Sequence, residues 1–580
     1  MKGGKIMAVG FSGILVVAVV IGVVVGVHKT SSSTENNKGS DVLSGASKAV
    51  TAICSPTDYK QACVDSLSAV ANNQSATPKD LLQAAINYTI TAVNAAQANT
   101  PAIGKAANDS YHKMAMEDCQ ELLKYASDEL QASFSMVGDS ELHTMKEREG
   151  ELLNWLSAVY SYQETCVDQI TQPDLKKAMS DGLLNATRLT DNALAIVSSI
   201  SSIMSAFNIP LVASAANATS SAQRRLLFEA SSDEPQGAND EYPAWMSGAD
   251  RKLLARAGSP NSNLRPNAVV AKDGSGQFKT IAAALAAYPK NLQGRYVIYV
   301  KAGIYDEYIT VEKNMVNVFM YGDGPRKTMV TGKKSNTAGY PTMNTASFSA
   351  IGNGFIAKGM GFQNTAGPQG HQAVALRVQS DAAAFYNCRM DGYQDTLYAQ
   401  ANRNFYRNCV ISGTVDFIFG DGTTLIQNSL IIVRKPMDGQ QNTVTAHGRK
   451  IAKSATGIVI QNCRIVPESK LFPARFQIKS FLGRPWKEYS RTVVMESMLG
   501  DFIQPEGWMP WQGNFALDTL YYAEYANRGP GAATAKRVHW KGYKVITNRA
   551  EALGFTAGPF LQGQTWIQAT GAPFFLGLRH

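Results

Sequence analysis

Phe405-Tyr406-Arg407-Asn408-Cys409-Val410-Ile411 decides the fold. It is a strand-like run carrying an Asn-Cys step, and the step recurs. Tyr386-Asn387-Cys388 stands 21 residues earlier, and Gln461-Asn462-Cys463 follows later. An aromatic or polar residue, then Asn, then Cys, repeated at roughly the length of one coil, points to a solenoid of stacked strands. The expectation is a parallel β-helix with inward ladders of Asn and small residues. Tyr296–Val300, Val316–Tyr321, Leu425–Val433 and Ile458–Ile465 read as further strands. Asn353-Gly354 and Asp391-Gly392 are hairpin-type dipeptides, so turn chemistry alone also admits a sandwich. The coil-length recurrence favours the solenoid. Thr280 to Ala287 reads as a short helix capping one end.

Within this region lie two aspartates in apolar or neutral surroundings. They stand in Gln394-Asp395-Thr396-Leu397 and, 21 residues on, in Asp416-Phe417-Ile418-Phe419-Gly420. Such surroundings can drive two carboxyl pKa values apart, leaving one a nucleophile and the other a proton donor. Paired carboxylates of this kind carry out ester hydrolysis or glycoside chemistry. The chain has no G-x-S-x-G elbow and no H-E-x-x-H metal motif.

Outward from the aspartates, charge divides the chain. From Ala255 to His580 there are 36 Lys+Arg against 19 Asp+Glu, a balance of +17; Met1 to Leu254 holds 19 against 27, or −8. A basic back half suits a polyanion, and an acidic front half suits the back half itself. No zinc-finger spacing and no aromatic-basic RNA signature occurs, so nucleic acid is not an expected partner. The front segment is rich in Ala, Leu and Ser, with apolar residues at helical steps. Leu81, Leu82, Ala85, Ile86, Ile90 and Val93 show the pattern, as do Leu152, Leu153, Leu156, Val159 and Tyr160. This is a helical bundle signal. Its four cysteines allow three pairings. In an oxidising compartment Cys54–Cys63 would close a local hairpin and Cys119–Cys166 would tie two long helices, and that pairing is preferred.

Ile6 to Val27 is an apolar run behind Lys2 and Lys5, long enough to span a bilayer. It reads as a signal anchor or signal peptide. Its length and the lack of a clear A-x-A site favour the anchor, which would send the rest of the chain across the membrane. Sequons at Asn73, Asn87, Asn108, Asn185 and Asn217 fit the secretory route. Two dibasic sites, Arg224-Arg225 and Arg251-Lys252, each followed by Leu-Leu, lie in or beside a polar linker and read as targets of a processing protease.

Five stretches in order identify the back half. They are Gly303-Ile304-Tyr305-Asp306-Glu307, Gln372-Ala373-Val374-Ala375-Leu376, the two aspartate motifs above, and Leu482-Gly483-Arg484-Pro485-Trp486. Together these closely resemble plant pectin methylesterases, which have a right-handed parallel β-helix. The front half, with C-x8-C and two later cysteines, resembles the pectin methylesterase inhibitor family. The whole chain is thus similar to a pro-enzyme: signal segment 1–30, linker 31–46, four-helix inhibitor-like bundle 47–207, processing linker 208–254 and catalytic region 255–580.

The resemblance implies hydrolysis of C6 methyl esters of homogalacturonan in the plant cell wall, with no metal or organic cofactor. Asp416 would be the nucleophile and Asp395 the proton donor and later base. Gln372 and Gln394 would stabilise the oxyanion, and Arg484 would orient Asp416. Trp486 and Thr342 would contact substrate, with Tyr398, Phe419 and Trp508 as further subsite aromatics; His371 and His447 are read as structural or subsite residues. Expected partners are pectin, the chain's own bundle, separate inhibitor proteins, a processing protease and, through residues 6–27, the membrane. The alternative is a weakly active or inactive pectin-binding regulator of the wall.

Three positions depart from the family pattern. Ser429 stands 20 residues after Cys409, where the family commonly has a disulfide partner, leaving Cys388, Cys409 and Cys463 as an odd set. Asp421 replaces a usual Asn and is expected to raise the nucleophile's pKa. His447 stands where Gln is common.

Overall fold

A computed structural model describes residues 45–71, 76–207 and 266–579. The apolar run 6–27, Asn73, Asn217 and the dibasic residues Arg224, Arg225, Arg251 and Lys252 lie outside the described residues. Among the described residues no helix is long and apolar enough to cross a membrane.

Seven helices come first: α1 Gly45–Cys54, α2 Lys60–Ala71, α3 Pro78–Gly104, α4 Ser110–Asp139, α5 Met145–Asp168, α6 Pro173–Ser198 and α7 Ile200–Ala206. The long helices α3 to α6 pack in a closed ring, each on two neighbours. Short connections between them make a bundle of this kind. Thr77 starts α3 through a capping box with Asp80, and the Asp109 carboxylate accepts the His112 N–H at 2.8 Å to start α4. Disulfides Cys54–Cys63 and Cys119–Cys166 form as expected, the second tying α4 to α5.

The rest is a parallel β-helix. Its strands form three sheets of 11, 7 and 8 strands, and every ladder is parallel. One coil shows the logic. Arg403–Arg407 lies in the first sheet, Val410–Gly413 in the eight-stranded sheet and Ile418–Gly420 in the seven-stranded sheet. The chain then re-enters the first sheet with Phe405 paired to Leu425. Helix α8, Ile281–Ala286, is capped by Thr280 and packs at the N-terminal end of the coils, as expected.

The runs read as single strands are in fact broken at their asparagines. Asn387, Asn408, Asn428 and Asn462 all take φ between 50° and 52°. That left-handed geometry turns the chain from one sheet into the next, and Asn tolerates it better than most residues. The asparagine ladder exists but follows the outer corner rather than the interior. Asn428 donates to Asn408 at 2.7 Å, and Asn462 donates to Asn428 at 3.1 Å. The cysteines beside them point inward and are buried. The interior is otherwise apolar, with Phe385 and Tyr406 stacked 5.0 Å apart in successive coils.

The described residues from Ala49 onward form one compact unit. The C-terminal helices cover the outer face of the first sheet through Phe405, Leu425 and Val459. The bundle core runs on into Tyr398, Phe419 and Ala446, at the outer face of the seven-stranded sheet. Both candidate carboxylates enter that sheet.

Candidate active site

Asp395 and Asp416 precede equivalent strands of adjacent coils, Leu397–Ala399 and Ile418–Gly420. Both take the left-handed region, with φ of 63° and 50°. For an L residue this costs roughly 1–2 kcal/mol, and such strain concentrates at functional sites. The turn lifts each carboxylate off its strand into one cavity of about 350 Å³.

Asp416 is held from two sides. Arg484 grips it bidentately, Nε to Oδ1 at 2.8 Å and a terminal nitrogen to Oδ2 at 2.6 Å. Thr443, one coil on, donates its hydroxyl to Oδ1 at 2.6 Å and accepts the Asp416 backbone N–H at 2.8 Å. The grip favours the ionised form and fixes its direction. Asp395 lies in the opposite condition. Burial first, and then the charge of Asp416, push its carboxyl well above the usual range, with Arg484 opposing. The two therefore meet opposite conditions: Asp395 is pushed toward its protonated form, while Asp416 is gripped and aimed by a guanidinium.

The cavity also gathers Thr342, Gln372, Gln394, Tyr398, Phe419 and Trp486. Tyr398 and Phe419 stack at 4.3 Å, and Trp486 meets Phe419 edge-on at 6.0 Å. Gly448 permits this, because a Cβ there would lie 2.9 Å from the Trp486 ring. Trp508 is not in the cavity. It is buried in the core, 4.3 Å from the Tyr522 ring, with its indole N–H aimed at Glu524 at 3.4 Å. The missed aromatic is Trp511, which lines the cavity and lies 4.3 Å under the Arg484 guanidinium. Its only sequence signal was membership of the same Trp-Met-Pro-Trp stretch.

Sequence reading also missed the roof. Tyr111 of α4 and Thr165, Asp168 and Gln169 at the end of α5 line the same cavity. Thr165 Oγ1 lies 3.3 Å from the Tyr398 hydroxyl, and Gln169 donates to Met343 Sδ at 3.3 Å. These are ordinary helix residues with no motif around them.

Two of the departures can be followed into the structure. The Asp421 carboxyl does not line the cavity. It is buried, accepts from Thr456 at 2.5 Å and sits 3.7 Å from His447, which is itself wholly buried. Burial pushes it up to about 7, so near neutrality much of its charge is quenched. Ser429 replaces a covalent link by hydrogen bonds: it accepts the Cys409 N–H and donates to Gln427 O, both at 3.0 Å. Cys388, Cys409 and Cys463 all remain free thiols.

A parallel β-helix with two carboxylates and an arginine in one aromatic-lined cleft fits the class of β-helix enzymes that act on polysaccharides. Residues 267–564 match the Pectinesterase family model, and residues 48–196 match that of plant invertase/pectin methylesterase inhibitors. The chain is 42 % identical to pectinesterase 1 of Citrus sinensis, over 96 % of this chain and 92 % of that one. To pectinesterase 4 of Arabidopsis thaliana it is 41 % identical, over 99 % and 100 % respectively. Among solved structures, the pectin methylesterase from carrot matches with a TM-score of 0.54 at 53 % identity, covering 55 % of this chain and 99 % of that one. The chain belongs to the pectinesterase family and is an ester-hydrolysing enzyme of it, preceded by an inhibitor-like domain.

Proposed function

We propose that the chain hydrolyses C6 methyl esters of homogalacturonan at this cavity, in the cell wall, after its bundle is removed. The observation that carries the reading is the contrast between the two carboxyls: Asp416 gripped bidentately by Arg484, beside Asp395, which burial and the charge of Asp416 push toward its protonated form.

Asp416 attacks the ester carbonyl, forming an acyl-enzyme anhydride and expelling methoxide. Asp395 gives methoxide its proton, and methanol leaves. Water then attacks the anhydride while Asp395 takes back a proton, freeing the galacturonate carboxylate and Asp416. Gln372 and Gln394 present amide N–H groups to the oxyanion of each tetrahedral step; one such donor contributes about 2.7–4 kcal/mol. Trp486 and the Tyr398–Phe419 stack offer flat apolar faces to the sugar rings.

The bundle keeps the cleft shut, because α5 ends over the carboxylates. Cleavage in the linker 208–254, at the dibasic sites, turns the tethered lid into a separate partner and lowers its effective concentration. Passage through an oxidising compartment is supported by two disulfides and by the exposure of Asn87, Asn108 and Asn185.

The test is methanol release from highly methylated pectin, before and after linker cleavage and separation of the two pieces. Release is expected to rise steeply on separation, and to drop by about a thousandfold or more in Asp416→Asn. Full activity from a folded Asp416→Asn enzyme overturns the assignment.

A further inference from the structure

Two lysines at the rim of the cleft make their ion pairs with carboxylates of the bundle. Lys487 follows Trp486, and its Nζ lies 5.5 Å from that ring's centre. It donates to Asp168 at 2.6 Å and lies 3.5 Å from Glu164. Lys450 donates to both oxygens of the same Glu164 carboxylate, at 3.1 and 2.9 Å. Two ammonium groups from the β-helix and two carboxylates from one turn of α5 thus alternate across the cleft edge. Asp168 is itself a wall of the cavity that holds Asp395 and Asp416.

We infer that Lys450 and Lys487 form a subsite for the free carboxylate of a de-esterified galacturonate, and that Glu164 and Asp168 fill it by mimicry while the chain is closed. The inference rests on the esterase reading above. Three observations carry it. First, the lysines are built into the cleft rim: Lys487 is 14 % exposed and Lys450 36 %. With the bundle gone, Lys487 loses Asp168 and Glu164, the two charges that act on it most strongly. A partly buried ammonium that loses its partners favours another anion. Second, the groups that fill the site are carboxylates, and a carboxylate is what the enzyme's own reaction leaves on each sugar. Third, Lys487 sits over the edge of Trp486, so a sugar stacked on that ring brings its C6 group within reach of Lys487. A fully methylated sugar carries a neutral ester there and gains nothing from the lysines.

A purely structural role would make these pairs bundle clamps with no bearing on the polymer. The two roles separate in binding experiments on the full chain. A fully de-esterified galacturonan oligomer is titrated into wild type, into Glu164→Gln/Asp168→Asn, and into that variant with Lys450→Gln/Lys487→Gln added. The two carboxylate substitutions are isosteric, and the two lysine substitutions remove the charge and keep a polar side chain. The expected result is at least about tenfold tighter binding by the first variant than by wild type, steeply reduced by salt, and abolished again when the lysines are replaced. A methylated oligomer should not distinguish the two variants. Equal binding by wild type and the first variant, or a gain that survives loss of the lysines, overturns the subsite. Methanol release by the same proteins after linker cleavage separates the two readings. Release without lysine-dependent binding sinks the subsite alone. Lysine-dependent binding with no release from any of them sinks the esterase and leaves a polygalacturonate-binding site.

Discussion

Asp395 and Asp416 share one cavity, yet opposite forces act on them. Asp416 has an arginine and a threonine hydroxyl on its oxygens, whereas Asp395 has burial and a neighbouring negative charge. The second condition has a thermodynamic signature. A carboxyl whose folded pKa is raised above its unfolded value of about 3.9 contributes stability below that value and loses it as pH rises toward the folded pKa. Asp395→Asn removes the titration. The melting temperature of this variant should therefore gain on wild type as pH climbs from 4 to 8, and scanning calorimetry at four or five pH values reads the difference. A constant difference would mean that Asp395 is not held protonated. These residues were legible in the sequence because each sits in a short motif whose neighbours set its environment. The choice between Trp508 and Trp511 was not legible. Both lie in one four-residue stretch, and only the packing of the coil decides which indole meets Tyr522 and which meets Arg484.

At the scale of the coil, the recurring Asn-Cys step gave the architecture and hid its detail. Period-two apolar runs continue across Asn408 and Asn428, so nothing in the pattern marks the corner; the left-handed backbone does. The inside of that corner carries Cys388, Cys409, Ser429 and Cys463 in successive coils. Ser429 spans the step to Cys409 with a hydrogen bond, worth about 1 kcal/mol. Ser429→Cys would place a second thiol against Cys409 and close a loop of 20 residues. A disulfide over such a loop contributes about 3 kcal/mol. The variant should titrate two thiols where wild type titrates three, and melt several degrees higher, and reductant should cancel the gain. If both thiols stay titratable, the inward geometry of this corner is wrong.

Across the whole molecule, the charge division of the sequence becomes an interface. Acidic α4 and α5 meet the basic β-helix through Lys487–Asp168, Lys450–Glu164 and Lys313–Glu129. Charge balance made some contact between the halves legible; the face used and the residues over the cleft were not, since neither Thr165 nor Gln169 differs from any other helix residue. Among these groups Asp118 of α4 stands apart. It is buried in the interface, accepts from Asn344 of the β-helix at 3.0 Å, and burial pushes its pKa up to about 7. Asn344 and the charge of Arg377 pull it down, while Glu121 and Glu117 on its own helix push it up. In a bundle freed from the cleft the carboxyl would regain water and titrate nearer 3.9. Docking is thus favoured by the protonated form. Its contribution is fully present below the free value and is lost as pH rises through about 7. The closed chain should therefore hold its cleft more tightly at pH 5 than at pH 7. The measurement is methanol release by uncleaved chain divided by release by the separated enzyme at each pH, a ratio that cancels the enzyme's own pH dependence. With a docked value of about 7 and a free value near 3.9, the ratio should rise by about fiftyfold between pH 5 and 7. In Asp118→Asn, where that carboxyl no longer titrates, the rise should be much smaller. A wild-type ratio that falls over the same range would place the controlling proton elsewhere, among the lysine-paired carboxylates whose attraction strengthens as they ionise.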